Sequence, residues 1–378
     1  MSDLAARHYD LVVVGAGICG LAHALTAARR GQRVVVIDRD AQANGASVRN
    51  FGFVTVTGQQ RGQCWSRAIR SRDVWAEVAP QAGIPVLHQG LVVAVRRDES
   101  RAVLEAFMAT EMGAGCELIA PTPARERFPM LARARELAAV LYSSHELRVE
   151  SKDAIAQLSA WLAEAHGVTF LYETAMHDVA PPKIVTSRGT VHADAAVVCP
   201  GDDFQSLFPD QLAAYGLTRF KLHMMRTAPL PNFPLNAAIM SDLGLARYLG
   251  YAELPEAAAL KQRLEAEQPA QLENGVHLIA VQSADGSLIV GDSHHYAATP
   301  DPFAPQTVDD LILDELEHAV GARPVVRERW IGTYASAPNR LALIDAPSDA
   351  VRVVVITSGT GASTSFAIGE EVIGGLFG

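Results

Sequence analysis

"YDLVVVGAGICGLAHALTAARRGQRVVVID", residues 9–38, decides the fold. Residues 11–14 are a continuous apolar run of strand length. Gly15, Gly17 and Gly20 follow as G-x-G-x-x-G, a helical pattern runs to Gly31, and a second apolar run ends at Asp38. Together these read as a strand, a glycine turn, a helix and a second strand, a complete βαβ unit of an α/β protein. The chemistry follows from the turn. Glycines let the backbone approach a pyrophosphate, the helix N-terminus offers it partial positive charge, and an acidic residue closing the second strand accepts from ribose hydroxyls. Asp38 stands at that position and disfavours a 2′-phosphate, so an unphosphorylated dinucleotide is expected.

The remainder of the 378 residues leaves room for a second lobe or an inserted sheet. Hydrophobic residues at 49% and charged residues at 20% match a folded globular chain and exclude a disordered one. A net charge of −10 argues against nucleic acid as a partner, so any cationic site for an acidic ligand must be local. No apolar run approaches the roughly 20 residues of a membrane span. Asp3, Arg7 and Asp10 precede the glycine motif, unlike the basic start of a secretory signal, and a cytoplasmic location is expected. Cys19, Cys64, Cys116 and Cys199 show no C-x-x-C spacing; buried free thiols are expected, with no metal site and no disulfide framework.

Along the chain, residues 63–83 and 98–113 carry helical periodicity with a strand between them, and "SKDAIAQLSAWLAEAHG" (151–167) reads as a helix capped by Ser151. Residues 183–201 predict a hairpin and a buried strand. Residues 217–229 predict an extended segment, and 277–296 a hairpin through "SADGS". A helix, a strand, and a last strand–glycine turn–helix follow. Dinucleotide-type pieces thus lie at both ends. The expected division is a discontinuous cofactor lobe (1–80, 145–215 and 330–378) and a substrate lobe on a large mixed β-sheet (81–144 and 216–329).

Two later features favour FAD over NAD. "VHADAAVVCPG" (191–201) brings a glycine-ended strand back toward the nucleotide, and "SGTGAS" (358–363) opens a second helix whose N-terminus suits the flavin's pyrimidine end. At this point the chain resembles the FAD-dependent oxidoreductases of the D-amino acid oxidase type, which include glycine and sarcosine oxidases. "ASVRNFG" (46–52), "SSHELRVESKDAI" (143–155), "CPGDDFQSLFP" (199–209), "KLHMMRT" (221–227) and "GDSHHY" (291–296) resemble a narrower branch associated with aminophosphonate breakdown. The resemblance implies a glutathione-reductase-type FAD lobe and oxidation of a C–N bond by hydride transfer to the flavin. Expected cofactor residues are Gly15, Gly17, Ile18, Cys19 and Gly20 in the turn, and Asp38 with Arg39 at the second strand. Ala46, Ser47, Arg49, Asn50, Phe51 and Gly52 join them from the following loop, with Ala175, Gly201, Gly359, Thr360, Gly361, Ala362 and Ser363 from later segments.

The resemblance also implies differences. Where such oxidases carry a carboxylate-gripping arginine, "WIGTYAS" (330–336) has Tyr334. Positions of a flavin-linking cysteine and of a loop lysine fall at Gly332 and Ser363, so FAD is expected to be noncovalent; the lysine that aids oxygen reduction falls at Ile289. A phenol cannot reproduce a bidentate arginine clamp. A phosphonate instead wants several donors spread around a tetrahedral group. Arg49, Lys221, His223, His294, Tyr296 and Tyr334 are the expected substrate residues, with Arg49 meeting either the acidic end of the substrate or the flavin pyrophosphate. His294 or His223 would take the amine proton, histidine being the side chain that titrates near neutral pH.

The expected reaction is oxidation of 2-aminoethylphosphonate or its N-methyl derivative to phosphonoacetaldehyde, with oxygen as acceptor. Alternatives are a dehydrogenase, a sarcosine-, glycine- or D-amino-acid-type enzyme, and a flavin-carrying interaction subunit.

Overall fold

The computed structural model describes residues 8–378; the first seven positions of the expected cofactor lobe, Asp3 and Arg7 among them, lie outside the described residues. The quoted stretch forms the strand His8–Val14, the helix Ile18–Arg29 and the strand Val34–Ile37. Leu11, Val12, Val13 and all of Val34–Ile37 are almost fully buried, because helices cover the sheet and strands enclosed on both faces need no polar alternation.

An eight-stranded sheet runs in the order Ala342–Ser348, Val351–Ile356, Gly189–Val198, His8–Val14, Val34–Ile37 and Thr169–Leu171, with Met176–Ala180 and Lys183–Thr186 as a hairpin on its Gly189–Val198 strand. The pairings from Val351–Ile356 through Thr169–Leu171 are parallel. The C-terminal helix Gly361–Phe377 packs beside the helix Ile18–Arg29, and Trp75 meets Phe366 edge to face at 5.3 Å, joining the helix Gln63–Gln81 to the same layer. Both ends of the chain therefore build one cofactor-type sheet.

A ten-stranded mixed sheet forms the second layer. Its path is His295–Ala297, Thr218–Thr227, Leu288–Gly291, Ile279–Gln282, Ala238–Met240, Val86–Val95, Ala139–Val149 and Phe53–Val54; Val326–Ser336 also pairs with Thr218–Thr227, and Cys116–Ile119 with Ala139–Val149. The boundary expected at 330 falls inside the strand Val326–Ser336, which pairs along its whole length with Thr218–Thr227. That expected at 145 falls inside Ala139–Val149, and Phe53–Val54, expected in the cofactor lobe, pairs in this second sheet. The chain crosses between layers in the connections after Val149 and after Ser336, past the expected boundaries.

Ser151 is the first residue of the helix Ser151–His166 and not its cap. Its hydroxyl donates to the carbonyls of Val48 at 3.1 Å and Asn50 at 3.0 Å, tying the 46–52 loop to this helix.

Candidate active site

A cavity of about 950 Å³ lies between the two sheets. One end is built by the glycine turn. Ala16 donates its N–H to Asp38 Oδ2 at 2.7 Å, and Ile18 donates its N–H to Ser47 Oγ at 2.9 Å. The first bond sets the carboxylate at the rim with lone pairs left for ribose hydroxyls; the second satisfies a donor that the helix itself leaves unpaired. Gly15 sits at φ +100°, and a Cβ there would lie 2.5 Å from the carbonyl of Cys199, so only glycine lets the turn close against the strand Gly189–Val198. Of the sequence-predicted cofactor residues, Gly15, Gly17, Ile18, Cys19, Gly20, Asp38 and Arg39 line the cavity, with Ala46, Ser47, Asn50, Phe51, Ala175 and Gly201. Residues 359–363 line it from the turn before the C-terminal helix, and Ser363 Oγ accepts the N–H of Thr55 at 2.8 Å.

Two predicted cofactor residues act differently. Gly52 does not line the cavity; it takes φ +64° and packs against the Val149 carbonyl and Arg148, where a side chain has no room. Arg49 contributes its carbonyl, which accepts from Trp330 Nε1 and from the Tyr334 hydroxyl, each at 3.2 Å. Its guanidinium is not part of the cavity wall.

The far end is walled by the ten-stranded sheet, through Phe220, Leu222, Ile279, His277, Asp292, His294, Tyr296 and Tyr334, with Arg247 and Tyr248 between two short helices. Phe220 stacks on His294 at 4.9 Å and on Tyr334 at 5.4 Å, forming an aromatic floor. His294, Tyr296 and Tyr334, expected as substrate residues, are thus among the residues that line the cavity. Lys221 and His223 are not. Successive side chains alternate across a strand, and Phe220 and Leu222 take the cavity face, so Lys221 and His223 fall on the other. The Lys221 ammonium donates to Asp301 Oδ1 at 2.7 Å and to the Phe303 carbonyl at 2.8 Å. His223 faces Asp309 at 3.2 Å, a carboxylate that also accepts from Arg329. Both are held by carboxylates on that opposite face.

The sequence reading overlooked four residues. Arg247 is half-buried, reaches the Tyr296 hydroxyl at 3.4 Å, and has no carboxylate within ion-pairing distance among the described residues. Tyr248 packs edge-on against His277 at 5.6 Å. His277 and Asp292 exchange backbone hydrogen bonds, 3.1 and 2.9 Å, which places their side chains opposite one another with Nδ1 and Oδ1 3.0 Å apart. The His294 Nδ1 lies 3.8 Å from the same oxygen, so three ligand-type atoms gather where the sequence suggested an isolated histidine pair. Only the weak tyrosine–histidine content of this end was visible beforehand; Arg247 sits in a stretch without a motif.

Burial sets the electrostatics. It pushes the Asp292 carboxyl up to about 8, Arg247 opposing, and holds His277 and His294 well below the ordinary imidazole range, Arg247 adding to the effect. Tyr248 and Tyr334 are raised by burial and by Asp292, so both phenols stay protonated donors. Near the turn, Cys19, His23 and Cys199 converge within 4.8 Å of one another, a grouping that spacing alone could not show. The Cys199 thiol hydrogen bond lowers the Cys19 thiol below the ordinary range.

A glycine turn on a parallel sheet, a second helix opening on the same cavity, and a mixed sheet closing its far end define a two-layer flavoprotein of the dinucleotide-binding class. The model of the FAD dependent oxidoreductase family (DAO) matches residues 10–373, and the chain belongs to that family. FAD is its cofactor. Among curated proteins it is similar to monomeric sarcosine oxidase of Bacillus sp. (strain B-0618), 25% identical over 209 residues; the match spans about half of each chain, 51% in both cases. Its fold is similar to glycine oxidase from Bacillus cereus ATCC 14579 (TM-score 0.76, 15% identity, 97% of this chain and 94% of that one). It is also similar to L-proline dehydrogenase from P. horikoshii (TM-score 0.78, 18% identity, 97% and 92%). No helix among the described residues is long and apolar enough to cross a membrane.

Proposed function

We propose that this protein oxidises the C–N bond of a small amine carrying an acidic group, an aminophosphonate such as N-methyl-2-aminoethylphosphonate or 2-aminoethylphosphonate. The observation that carries this reading is Arg247, an arginine without a carboxylate partner among the described residues, at the sheet-walled end of the cavity. An unpaired, half-buried guanidinium is costly unless a ligand supplies the anion. Arg247 reaches the Tyr296 hydroxyl and Tyr248 lines the same wall, so a guanidinium and two phenols could donate to a tetrahedral anion from several directions.

The lining residues of the glycine turn, the 46–51 segment and the 359–363 turn would hold FAD without a covalent link. When bound, FAD supplies the electron sink for the hydride leaving the carbon next to nitrogen. The protein's part is positional: Arg247 fixes the acidic end, and the Phe220, His294 and Tyr334 stack gives the substrate a flat, dry wall. The oxidised C–N bond then hydrolyses in water to phosphonoacetaldehyde and methylamine or ammonia. Oxygen as electron acceptor, with release of hydrogen peroxide, and a cytoplasmic location complete the reading.

A second reading, oxidation of a carboxylate amine, is favoured by the half-length similarity to monomeric sarcosine oxidase. Anaerobic mixing of the holoprotein with N-methyl-2-aminoethylphosphonate and, separately, with sarcosine decides between them. Bleaching of the flavin by the phosphonate is the expected result; bleaching by sarcosine alone would transfer the assignment to the second reading. Peroxide measured in air then distinguishes oxidase from dehydrogenase.

A further inference from the structure

Resting on the amine-oxidation reading, we infer that His277 and Asp292 act together as the acceptor of the substrate's ammonium proton. The backbone places them. His277 precedes the strand Ile279–Gln282, Asp292 follows the strand Leu288–Gly291, and the hydrogen bonds exchanged by their own main chains force the two side chains onto the cavity face. Their facing atoms are 3.0 Å apart, and neither His277 Nδ1 nor Asp292 Oδ1 has a hydrogen-bond partner among the described residues. Both residues are nearly buried, at 3% and 4% exposure, yet both line the cavity. Two buried polar atoms this close, each without a hydrogen bond, leave proton-accepting capacity that the fold itself does not use.

The surroundings define its charge. Arg247, Tyr248, His294 and Tyr334 face the pair, and of these only Arg247 is charged. Burial keeps a proton on Asp292 up to about pH 8 with Arg247 opposing, so the accepting form, an ionised Asp292 beside a neutral His277, is populated as pH approaches 8, and Arg247 opposes any second cation there. His294 is held by Gly275, whose carbonyl accepts from Nδ1 at 3.3 Å, so that imidazole is fixed as a wall of the site.

The step balances simply. An N–H bond of the substrate ammonium breaks, nitrogen keeps the electron pair, and the proton passes to the pair. The lone pair so released is what the later loss of hydride from the neighbouring carbon requires. The acid end on Arg247 and the ammonium end on Asp292 would also give a zwitterionic substrate one orientation.

The experiment is anaerobic stopped-flow flavin bleaching by N-methyl-2-aminoethylphosphonate across about pH 6 to about pH 10, a span that brackets histidine and free-amine titration. It compares the FAD-loaded wild type with Asp292→Asn and His277→Gln, two variants so that one stands if the other loses FAD. Expected is a wild-type rate that reaches a plateau. In the variants the rate near neutral pH falls about 10²- to 10⁴-fold, the size of a general-base contribution, and climbs about tenfold per pH unit toward the free-amine range. A profile unchanged in shape, with rates within about threefold, overturns the inference, since a purely structural role leaves the limb where it was. If sarcosine alone bleaches the wild type, the phosphonate reading fails while the same variants read with sarcosine still decide the proton acceptor. If no amine bleaches it, both fall together.

Discussion

Ser47 Oγ accepts the N–H of Ile18 at 2.9 Å, fastening the 46–52 loop to the first turn of the helix that opens the dinucleotide site. Gly17, its neighbour, would carry a Cβ only 2.8 Å from that oxygen. Ser47→Ala removes a cap-type bond of about 1 kcal/mol and is expected to weaken FAD retention several-fold. Gly17→Ala alone adds a clash of about 1–3 kcal/mol. The double variant loses less than the sum, because Ser47→Ala takes away the very oxygen that the methyl group added by Gly17→Ala would meet. Flavin dissociation measured by fluorescence for the four proteins checks the cycle; strict additivity would refute the contact's role.

Arg247 and Lys221 make opposite predictions for the acidic end. Arg247→Ala is expected to leave FAD content unchanged and to weaken binding of an acidic amine by about 2–5 kcal/mol, the range for a buried charge-assisted contact. Lys221→Met, whose ammonium is held by Asp301, is expected to leave that binding within about twofold. Perturbation of the flavin spectrum under anaerobic titration gives both constants. Weaker binding in the Lys221 variant with none in the Arg247 variant would reverse the assignment.

The contrast between those residues marks where the sequence stops being legible. The βαβ unit, the returning strand and the terminal strand–turn–helix are local patterns, and each forms as read. In the strand Thr218–Thr227, by contrast, residues on both faces are buried from Phe220 through Met225, so hydrophobic alternation does not say which parity faces the cavity. Lys221 and His223 share a face, as expected, but it is the face opposite the site. His277 and Asp292 become partners only through strand pairing. Arg247 lies between Asp242–Leu245 and Leu249–Ala252, two four-residue helices whose position depends on tertiary packing alone. Cys19 and Cys199 follow different strands and meet because His8–Val14 and Gly189–Val198 are parallel neighbours.

That meeting has a chemical consequence. Cys19 stands in the first turn of its helix with its thiol lowered by Cys199, whereas burial raises Cys64 and Cys116 to about 11 each. Iodoacetamide at neutral pH is therefore expected to label Cys19 first and to leave Cys64 and Cys116 untouched in the folded protein. FAD should slow the reaction, since Cys19 and Cys199 both line the cavity. Peptide mass spectrometry with and without added FAD checks the order; labelling of Cys64 ahead of Cys19 would contradict it.

The histidine–aspartate cluster makes stability depend on pH in two opposed ways. Asp292 is raised in the fold to about 8, well above its value in an unfolded chain, so between about pH 4 and pH 8 the folded state holds a proton that the unfolded state has lost. Stability contributed by this group is present below about pH 4 and declines as pH rises toward 8. His277 and His294 are depressed, so they remain neutral in the fold while the unfolded chain takes up protons below about pH 6.5; their contribution is lost as pH falls. Asp292→Asn removes the first slope and keeps the second. Thermal melting of wild type and variant from about pH 5 to about pH 8.5, a window spanning both titrations, should show Tm of the variant gaining on the wild type as pH rises. A constant Tm difference across that window would mean that Asp292 is ionised in the resting fold, stabilised by Arg247 and His277 more strongly than burial opposes it.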